Sequence, residues 1–392
     1  MPKRKKSATG KGEPAAVLAD GGPSVERASR PVDKFIDAAG TIDGWAPAAD
    51  VFDRVTSVRT CFPDFNRAVR VGGLPVRRIH TVHGPTHGGK TAFVLGLAKS
   101  FVDPGYLCGY VDAEHSLGQE FAEEMVHELR GKRNFLAVRP NNYEETIDKV
   151  DQFLEHAAKV REKFPESKSL LVVDSINKLV PKRELSKILK DGAEEVTKGH
   201  HGRYRAALNQ AWLDQLTPKI ARADCALLII AQEREGEDTT DFFNDSFKVK
   251  GGAALLFDAS LVMRVSKGSA IFEKQGSEDK SDRKNEAIVG FMHRVRIWKS
   301  KVGHMDGRHT DCCFHLSNGK LTRAGFDFGR DALTVGVKLG VVKQAGAWYS
   351  YKGRRQQGIN AAIQHLEKNP HRLTELMNDI GDYLDRKEGR AT

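Results

Sequence analysis

The chain has no run of about eighteen apolar residues, which argues against a membrane-spanning helix. Cysteine is scarce and scattered: the five residues Cys61, Cys108, Cys225, Cys312 and Cys313 form no C-x-x-C pair and no regular framework. That pattern argues against a disulfide scaffold and against a structural zinc, and reads as reduced thiols in core or strand positions. No internal repeat of solenoid period is present. No secretory leader is visible, because Met1 to Lys6 (MPKRKK) runs into polar, Gly- and Pro-rich sequence where an apolar stretch would stand. The expectation is an intracellular protein.

What is there begins with charge. Lysine and arginine number 62 against 52 acidic residues, a net charge of +10. Such a balance favours a polyanionic partner, nucleic acid first and an anionic membrane second. At 392 residues the chain can bury a large core and form two or three structural units. Residues 1–30 are poor in large apolar side chains and have the composition of a disordered basic tail, with Lys3 to Lys6 as its densest cluster. From about Val51 short apolar runs alternate with amphipathic ones. Strands are predicted at Ile79 to His83, Leu107 to Asp112, Asn134 to Val138, Leu170 to Asp174, Ala226 to Ala231 and Ser260 to Val265. Helices are predicted at Thr91 to Ser100, Gln119 to Leu129, Tyr143 to Lys163 and Arg203 to Ala221. This alternation implies an α/β fold with a largely parallel central sheet. Further strand-like runs cover Ala287 to Lys299 and Thr310 to Leu316, and a small, mainly helical C-terminal domain with little strand signal is expected from about Gly325.

One segment carries specific chemistry. Gly84-Pro85-Thr86-His87-Gly88-Gly89-Lys90-Thr91 fits the phosphate-cradling pattern G-x-x-x-x-G-K-[ST], between a strand-like run and a helix-like run. Glycines let successive backbone N–H groups face phosphates at a helix start, Lys90 adds a mobile cation, and the Thr91 hydroxyl can ligate magnesium. A nucleoside triphosphate is therefore the expected ligand. Asp174 ends the apolar run Leu170 to Val173; an aspartate at a strand end is by itself more often a helix cap, but after a phosphate loop in the same sheet it reads as the magnesium-side carboxylate. Glu114 follows the strand after the phosphate-loop helix and is placed to activate the attacking water, with Asp112 and His115 competing for that role. Gln232 ends another strand at the same edge, either as a terminal-phosphate sensor or as a plain strand end.

Further motifs complete a wider pattern: Gly72-Gly73-Leu74-Pro75, Asp112 to His115, Val173-Asp174-Ser175, Gly251-Gly252, Lys299-Ser300-Lys301 and Ala345 to Gly353 (AGAWYSYKG). From about Arg54 to about Ile380 the chain resembles the bacterial RecA family of homologous-recombination ATPases. The resemblance implies a RecA-type P-loop ATPase core over 54–324, with DNA-binding loops near 181–204 and 233–250. It leaves 31–53 as an N-terminal assembly segment, where only Val32 to Ala39 suits that role, and 325–392 as the C-terminal domain.

What the resemblance implies continues residue by residue. ATP and magnesium would be held by Gly84 to Thr91 and Asp174, with Phe121 stacking on the base. Glu114 would be the catalytic base, Lys90 a phosphate anchor, and Gln232 the switch between terminal phosphate and DNA. Lys299 and Lys301 would reach the nucleotide of a neighbouring subunit, and Phe257 would contact that subunit. DNA would be met by Lys198, His201, Gly202 and Arg203 in the first loop. In the second, Arg234, Phe242, Phe243, Lys248, Lys250, Gly251 and Gly252 would serve, cations on phosphates and aromatics against bases.

The sequence also departs from the family. Glu233, Glu235, Glu237, Asp238, Asp241 and Asp245 make the second loop acidic, which would repel phosphate unless those side chains turn away or pair with Arg234 and neighbouring lysines. Gly118 and Phe121 replace the acidic and tyrosine residues that flank adenine, and the acidic tail of the bacterial protein is absent. Such divergence suits a bacteriophage-encoded member, acting in the cytoplasm of a bacterial cell or an infected host. The implied activity is a DNA-dependent ATPase that forms a homo-oligomeric filament on single-stranded DNA and pairs it with homologous duplex. Three classes compete with it: a hexameric helicase or translocase, which shares the core motifs, a P-loop small-molecule kinase, and a non-enzymatic relative.

Overall fold

The computed structural model describes residues 54–118, 129, 131–176, 180–184, 186, 201–235, 247–249, 254–272, 288–303, 307–316 and 324–390. In chain order, strand β1 (Ser57–Val58) precedes helix α1 (Pro63–Val69), and β2 (Leu74–Pro75) pairs back on β1. Then come β3 (Arg78–His83), α2 (Lys90–Val102), β4 (Leu107–Asp112), β5 (Phe135–Val138), α3 (Tyr143–Lys163), β6 (Ser169–Asp174), α4 (His201–Arg222) and β7 (Cys225–Ile230). The short hairpin β8 (Glu233–Glu235) and β9 (Phe247–Val249) is followed by α5 (Ala254–Asp258), β10 (Leu261–Phe272), β11 (Ile288–Ser300), β12 (His309–His315) and β13 (Gly325–Phe326). The C-terminal elements are α6 (Phe328–Leu339), β14 (Lys343–Ala345), β15 (Trp348–Tyr351), β16 (Arg354–Gln357), α7 (Ile359–Lys368) and α8 (Pro370–Lys387).

Nine strands form one sheet in the order β13-β12-β11-β10-β3-β7-β6-β4-β5. Every pairing from β10 to β5 is parallel, while β10 through β13 pair antiparallel. The run of apolar residues in β6 and β7 follows from burial on both faces, as a covered parallel sheet requires. Successive side chains divide between two cores. Leu170, Val172, Ala226 and Leu228 pack with α1 and α2 on one face, and Leu171, Val173, Leu227 and Ile229 pack with α3 and α4 on the other. All five cysteines are free, and four of them lie buried in β4, β7 and β12.

The C-terminal elements surround a third apolar cluster that includes Leu333, Val342, Ile363, Leu376 and Ile380. Arg59 ties α8 to the segment after β1 through ion pairs to Asp382 at 3.3 Å and Asp385 at 2.7 Å. The expectation of little strand here needs correction, because β14, β15 and β16 form a three-stranded antiparallel sheet. The residues that make it possible are turn formers: Lys352 and Gly353 both have positive φ, 42° and 76°, as a two-residue type I′ hairpin loop needs. Another correction concerns the first expected loop. Helix α4 starts at His201, so His201, Gly202 and Arg203 occupy its first turn and not a loop. Among the described residues no helix is long and apolar enough to cross a membrane.

Candidate nucleotide site

The C-terminal ends of β3, β4, β6 and β7 meet at one edge of the sheet, where an open α/β sheet places its ligand crevice. After β3 the chain turns at Gly84, whose φ is 151°; a Cβ there would lie 2.0 Å from the Val265 carbonyl oxygen. Only glycine lets the loop leave the sheet so close to β10. Helix α2 then begins after Gly89, which has φ 92° and offers no side-chain cap. Its first N–H groups are thus uncommitted to a capping side chain, and its positive end faces the crevice, which suits an anion. Pro85 to Thr91 complete the loop, with Thr86 and His87 exposed.

Lys90 Nζ donates to the carbonyls of Gly84 at 3.1 Å and Pro85 at 2.8 Å, so the amine lies folded over its own loop. Burial pushes its pKa below the ordinary lysine value, while the fields of Asp174, Glu233 and Glu114 act the other way. Thr91 Oγ1 donates to Asp174 Oδ2 at 2.9 Å, and the buried Tyr110 hydroxyl donates to the same oxygen at 2.6 Å. Burial raises the Asp174 pKa, and the hydrogen bonds from Tyr110 and Thr91 partly offset it. A buried carboxylate beside a hydroxyl at the mouth of a phosphate-type loop is a donor set that fits hydrated magnesium carrying a nucleotide.

Glu114 is placed by register. Asp112 of β4 pairs with Asp174 of β6, and the Ala113 and Glu114 N–H groups donate to the Asp174 carbonyl at 2.7 and 3.2 Å. The Glu114 carboxylate consequently meets the next residue of the β6 side: Ser175 Oγ donates to Glu114 Oε1. Gln232 Nε2 donates to the same oxygen at 3.1 Å. Gln232 reaches it because Ala231 N donates to the Val82 carbonyl at 2.9 Å, carrying the β7 backbone to the crevice edge. The competitors of Glu114 are engaged elsewhere. Asp112 is 3% exposed, pairs with Arg139 at 3.0 Å and accepts from the Ser116 and Leu117 N–H groups. His115 bonds the Pro140 carbonyl at 3.1 Å.

Lys299 and Lys301 lie two residues apart on and just after β11, and both amines turn to the C-terminal end of α5. Lys299 Nζ donates to the Leu256 and Phe257 carbonyls at 2.5 and 2.9 Å, and Lys301 Nζ to the Phe257 carbonyl at 2.6 Å. Phe257 itself is 71% exposed. In the hairpin β8–β9, Arg234 and Lys248 are register partners. Phe121, Lys198, Phe242, Phe243, Lys250, Gly251 and Gly252 lie outside the described residues, as does the expected helix from Gln119, apart from Leu129.

Several contributors carry no sequence signal. His293 of β11 bonds the Gly88 carbonyl through Nδ1 at 3.1 Å; since a carbonyl only accepts, Nδ1 carries the proton. A Cβ on Gly89 would fall 2.1 Å from that ring, so the imidazole and the second loop glycine fit each other. The contact joins residues 205 positions apart, which no local pattern reveals. Nor does any local pattern mark Ser175 as the partner of Glu114 or Tyr110 as the partner of Asp174. A buried trio on β12 and the segment after β13, Cys313, His315 and Asp327, brings donor atoms within 4.8 Å of one another. There His315 Nε2 sits 3.2 Å from Asp327 Oδ2, and Arg330 donates to that same oxygen at 3.2 Å, a cation that opposes a metal ion.

A parallel sheet with a phosphate-type loop and strand-end carboxylates at one crevice defines a P-loop nucleotide-binding protein. Within that class the RecA N-terminal domain matches residues 48–309 and the RecA C-terminal domain matches residues 331–385, so the chain belongs to the RecA family. It is similar to Protein RecA of Acinetobacter baylyi, 28% identical over 339 residues that span 86% of each chain. Protein RecA of Acinetobacter baumannii is 28% identical over 331 residues, 84% of this chain and 83% of that protein.

Proposed function

We propose that the chain is a DNA-dependent ATPase and recombinase that assembles as a helical filament on single-stranded DNA, pairs it with homologous duplex and promotes strand exchange in the cytoplasm. Bound ATP supplies the anionic charge that the phosphate loop recognises; Thr91 and Asp174 would hold magnesium, which would offset that charge. Glu114 orients the attacking water and takes its proton. Lys90 holds the outer phosphates, and Gln232 transmits their presence to the segment that follows it. Lys299 and Lys301 leave their α5 carbonyls to reach the nucleotide of a neighbouring subunit, beside the exposed Phe257 contact. Cations supplied in trans make hydrolysis conditional on assembly. Phe121 stacks on the base, and DNA runs along His201 to Arg203, Lys198 and the 233–250 segment with its flanking glycines.

The observation that carries this reading is the Gln232–Glu114 hydrogen bond at 3.1 Å, which joins the expected catalytic carboxylate to the root of the expected second DNA loop. A hydrolytic site wired in this way responds to what that loop binds. The test is ATP hydrolysis with and without single-stranded DNA, followed by a strand-exchange assay and imaging of the assemblies. Stimulation with strand exchange and open helical filaments supports the recombinase. Closed rings that unwind a fork without a homologous partner would instead establish the helicase reading.

A further inference from the structure

The acidic residue that opens the second expected DNA loop does not face outward. Glu233 is bound from two sides: Arg264 Nη2 donates to Oε1 at 2.7 Å and Arg264 Nε to Oε2 at 3.0 Å, while His83 Nδ1 lies 3.2 Å from Oε2. The Glu233 side chain is 7% exposed and that of His83 is 0% exposed. Two parallel N–H···O bonds from one guanidinium form the strongest geometry open to a carboxylate. A carboxylate so enclosed persists only because its charge and lone pairs are met.

The supports come from the rigid sheet. His83 of β3 and Arg264 of β10 are register partners in neighbouring parallel strands, so they present side chains on one face. The His83 ring also meets the edge of Trp298, with centroids 6.1 Å apart, one residue before Lys299. Glu233 directly follows Gln232, and successive residues of an extended chain point to opposite sides. Holding Glu233 against β3 and β10 therefore turns Gln232 the other way, toward Glu114 between β4 and β6.

We propose that Glu233, Arg264 and His83 form a clamp that positions Gln232 against Glu114 and so sets how strongly DNA at the second loop controls ATP hydrolysis. The proposal rests on the reading of Gln232 as the switch between nucleotide and DNA. Glu233, Arg264 and His83 are positioning residues, and their action is through the amide of Gln232.

The test uses the full chain with Glu233→Gln, Arg264→Gln, the double variant and the conservative Arg264→Lys. Hydrolysis is measured against both ATP and single-stranded DNA concentration, and amide hydrogen exchange is measured over residues 230–235 without DNA. Each neutralising single variant is expected to lower DNA-stimulated kcat about tenfold while the KM for ATP stays within about twofold, and the double variant is expected to fall no further, because one clamp is broken either way. Arg264→Lys, which keeps the charge but loses the fork, falls between, and it keeps the test open if Arg264→Gln does not fold. Wild-type stimulation in Glu233→Gln and Arg264→Lys, or losses that multiply in the double variant, overturns the clamp. If the wild-type chain is not stimulated by DNA at all, the recombinase reading fails on its own. The clamp is then judged by exchange: faster exchange over 230–235 in Glu233→Gln supports it, and unchanged exchange overturns it.

Discussion

The two halves of the nine-stranded sheet are made of different sequence and contribute differently to the crevice. Strands β5, β4, β6, β7 and β3 are parallel, and their centre is covered on both faces, so β6 is apolar from Leu170 to Val173 and β7 from Cys225 to Ile230, with polar side chains following at their C-terminal ends. That is where Glu114, Asp174, Ser175 and Gln232 gather around the phosphate loop. Strands β10 to β13 are antiparallel, and β11 alternates buried with exposed residues from His293 to Ile297. This half supplies supports from behind, His293 under Gly88 and Arg264 on Glu233, and the cations Lys299 and Lys301 that sit on α5. The parallel half thus carries the groups suited to a nucleotide of the same chain, and the antiparallel half carries those that brace the crevice from behind and the two lysines that lie on α5.

Variants in the two halves should separate accordingly. The largest effect is expected from Lys90→Ala in the parallel half, which removes the phosphate anchor; binding of a fluorescent ATP analogue and filament activation should both be lost. Next, Lys299→Ala with Lys301→Ala should lower DNA-stimulated turnover by about a thousandfold, the scale of cations supplied in trans, while single-chain nucleotide binding persists. Glu114→Gln should lower kcat by about a hundredfold with ATP and DNA still bound, read by single-turnover hydrolysis.

Smaller effects concern the bracing. Burial alone would raise the Glu233 pKa, but the His83 and Arg264 hydrogen bonds and charges outweigh it and hold the group at about 2. Lys90 is a further cation in its field. Because the folded value lies below the ordinary glutamate value, the stabilisation is complete above about 4.5 and is lost as pH falls toward about 2. Acid unfolding should therefore show the gap in stability between wild type and Glu233→Gln shrinking across that window. Tyr110→Phe should cost about 1.5–3 kcal/mol, the scale of a hydrogen bond to a charged group, measured by denaturant unfolding, and should weaken magnesium binding modestly.

Much of the parallel half is legible in the sequence. Gly84 to Thr91, Asp174 and Gln232 sit at the ends of short apolar runs, and strand ends in such a sheet converge by topology alone. The same logic leaves Glu114 level with Asp112 and His115; what separates them is the Asp112–Arg139 pair and the His115 bond to Pro140, contacts set by tertiary packing. The bracing residues are illegible for a related reason. His293 and Gly88, or Glu233 and Arg264, meet across strands whose order cannot be read from local spacing. The acidity of the second loop reads as adverse to DNA, yet Glu233 turns into the protein, where Arg264 and His83 meet its carboxylate. In the C-terminal region, strands as short and polar as Arg354–Gln357 offer no hydrophobic alternation, and only the Lys352-Gly353 turn betrays them.

With Lys299 and Lys301 acting on the neighbour's nucleotide, as proposed, the crevice of one chain is completed by the antiparallel half of the next. Subunit mixing tests it most directly: Glu114→Gln chains are combined with Lys299→Ala/Lys301→Ala chains on single-stranded DNA, and ATP turnover is compared with either variant alone. The mixture should recover turnover, because some junctions pair an intact Glu114 with intact lysines from the neighbour. A mixture as inactive as its two components would contradict it.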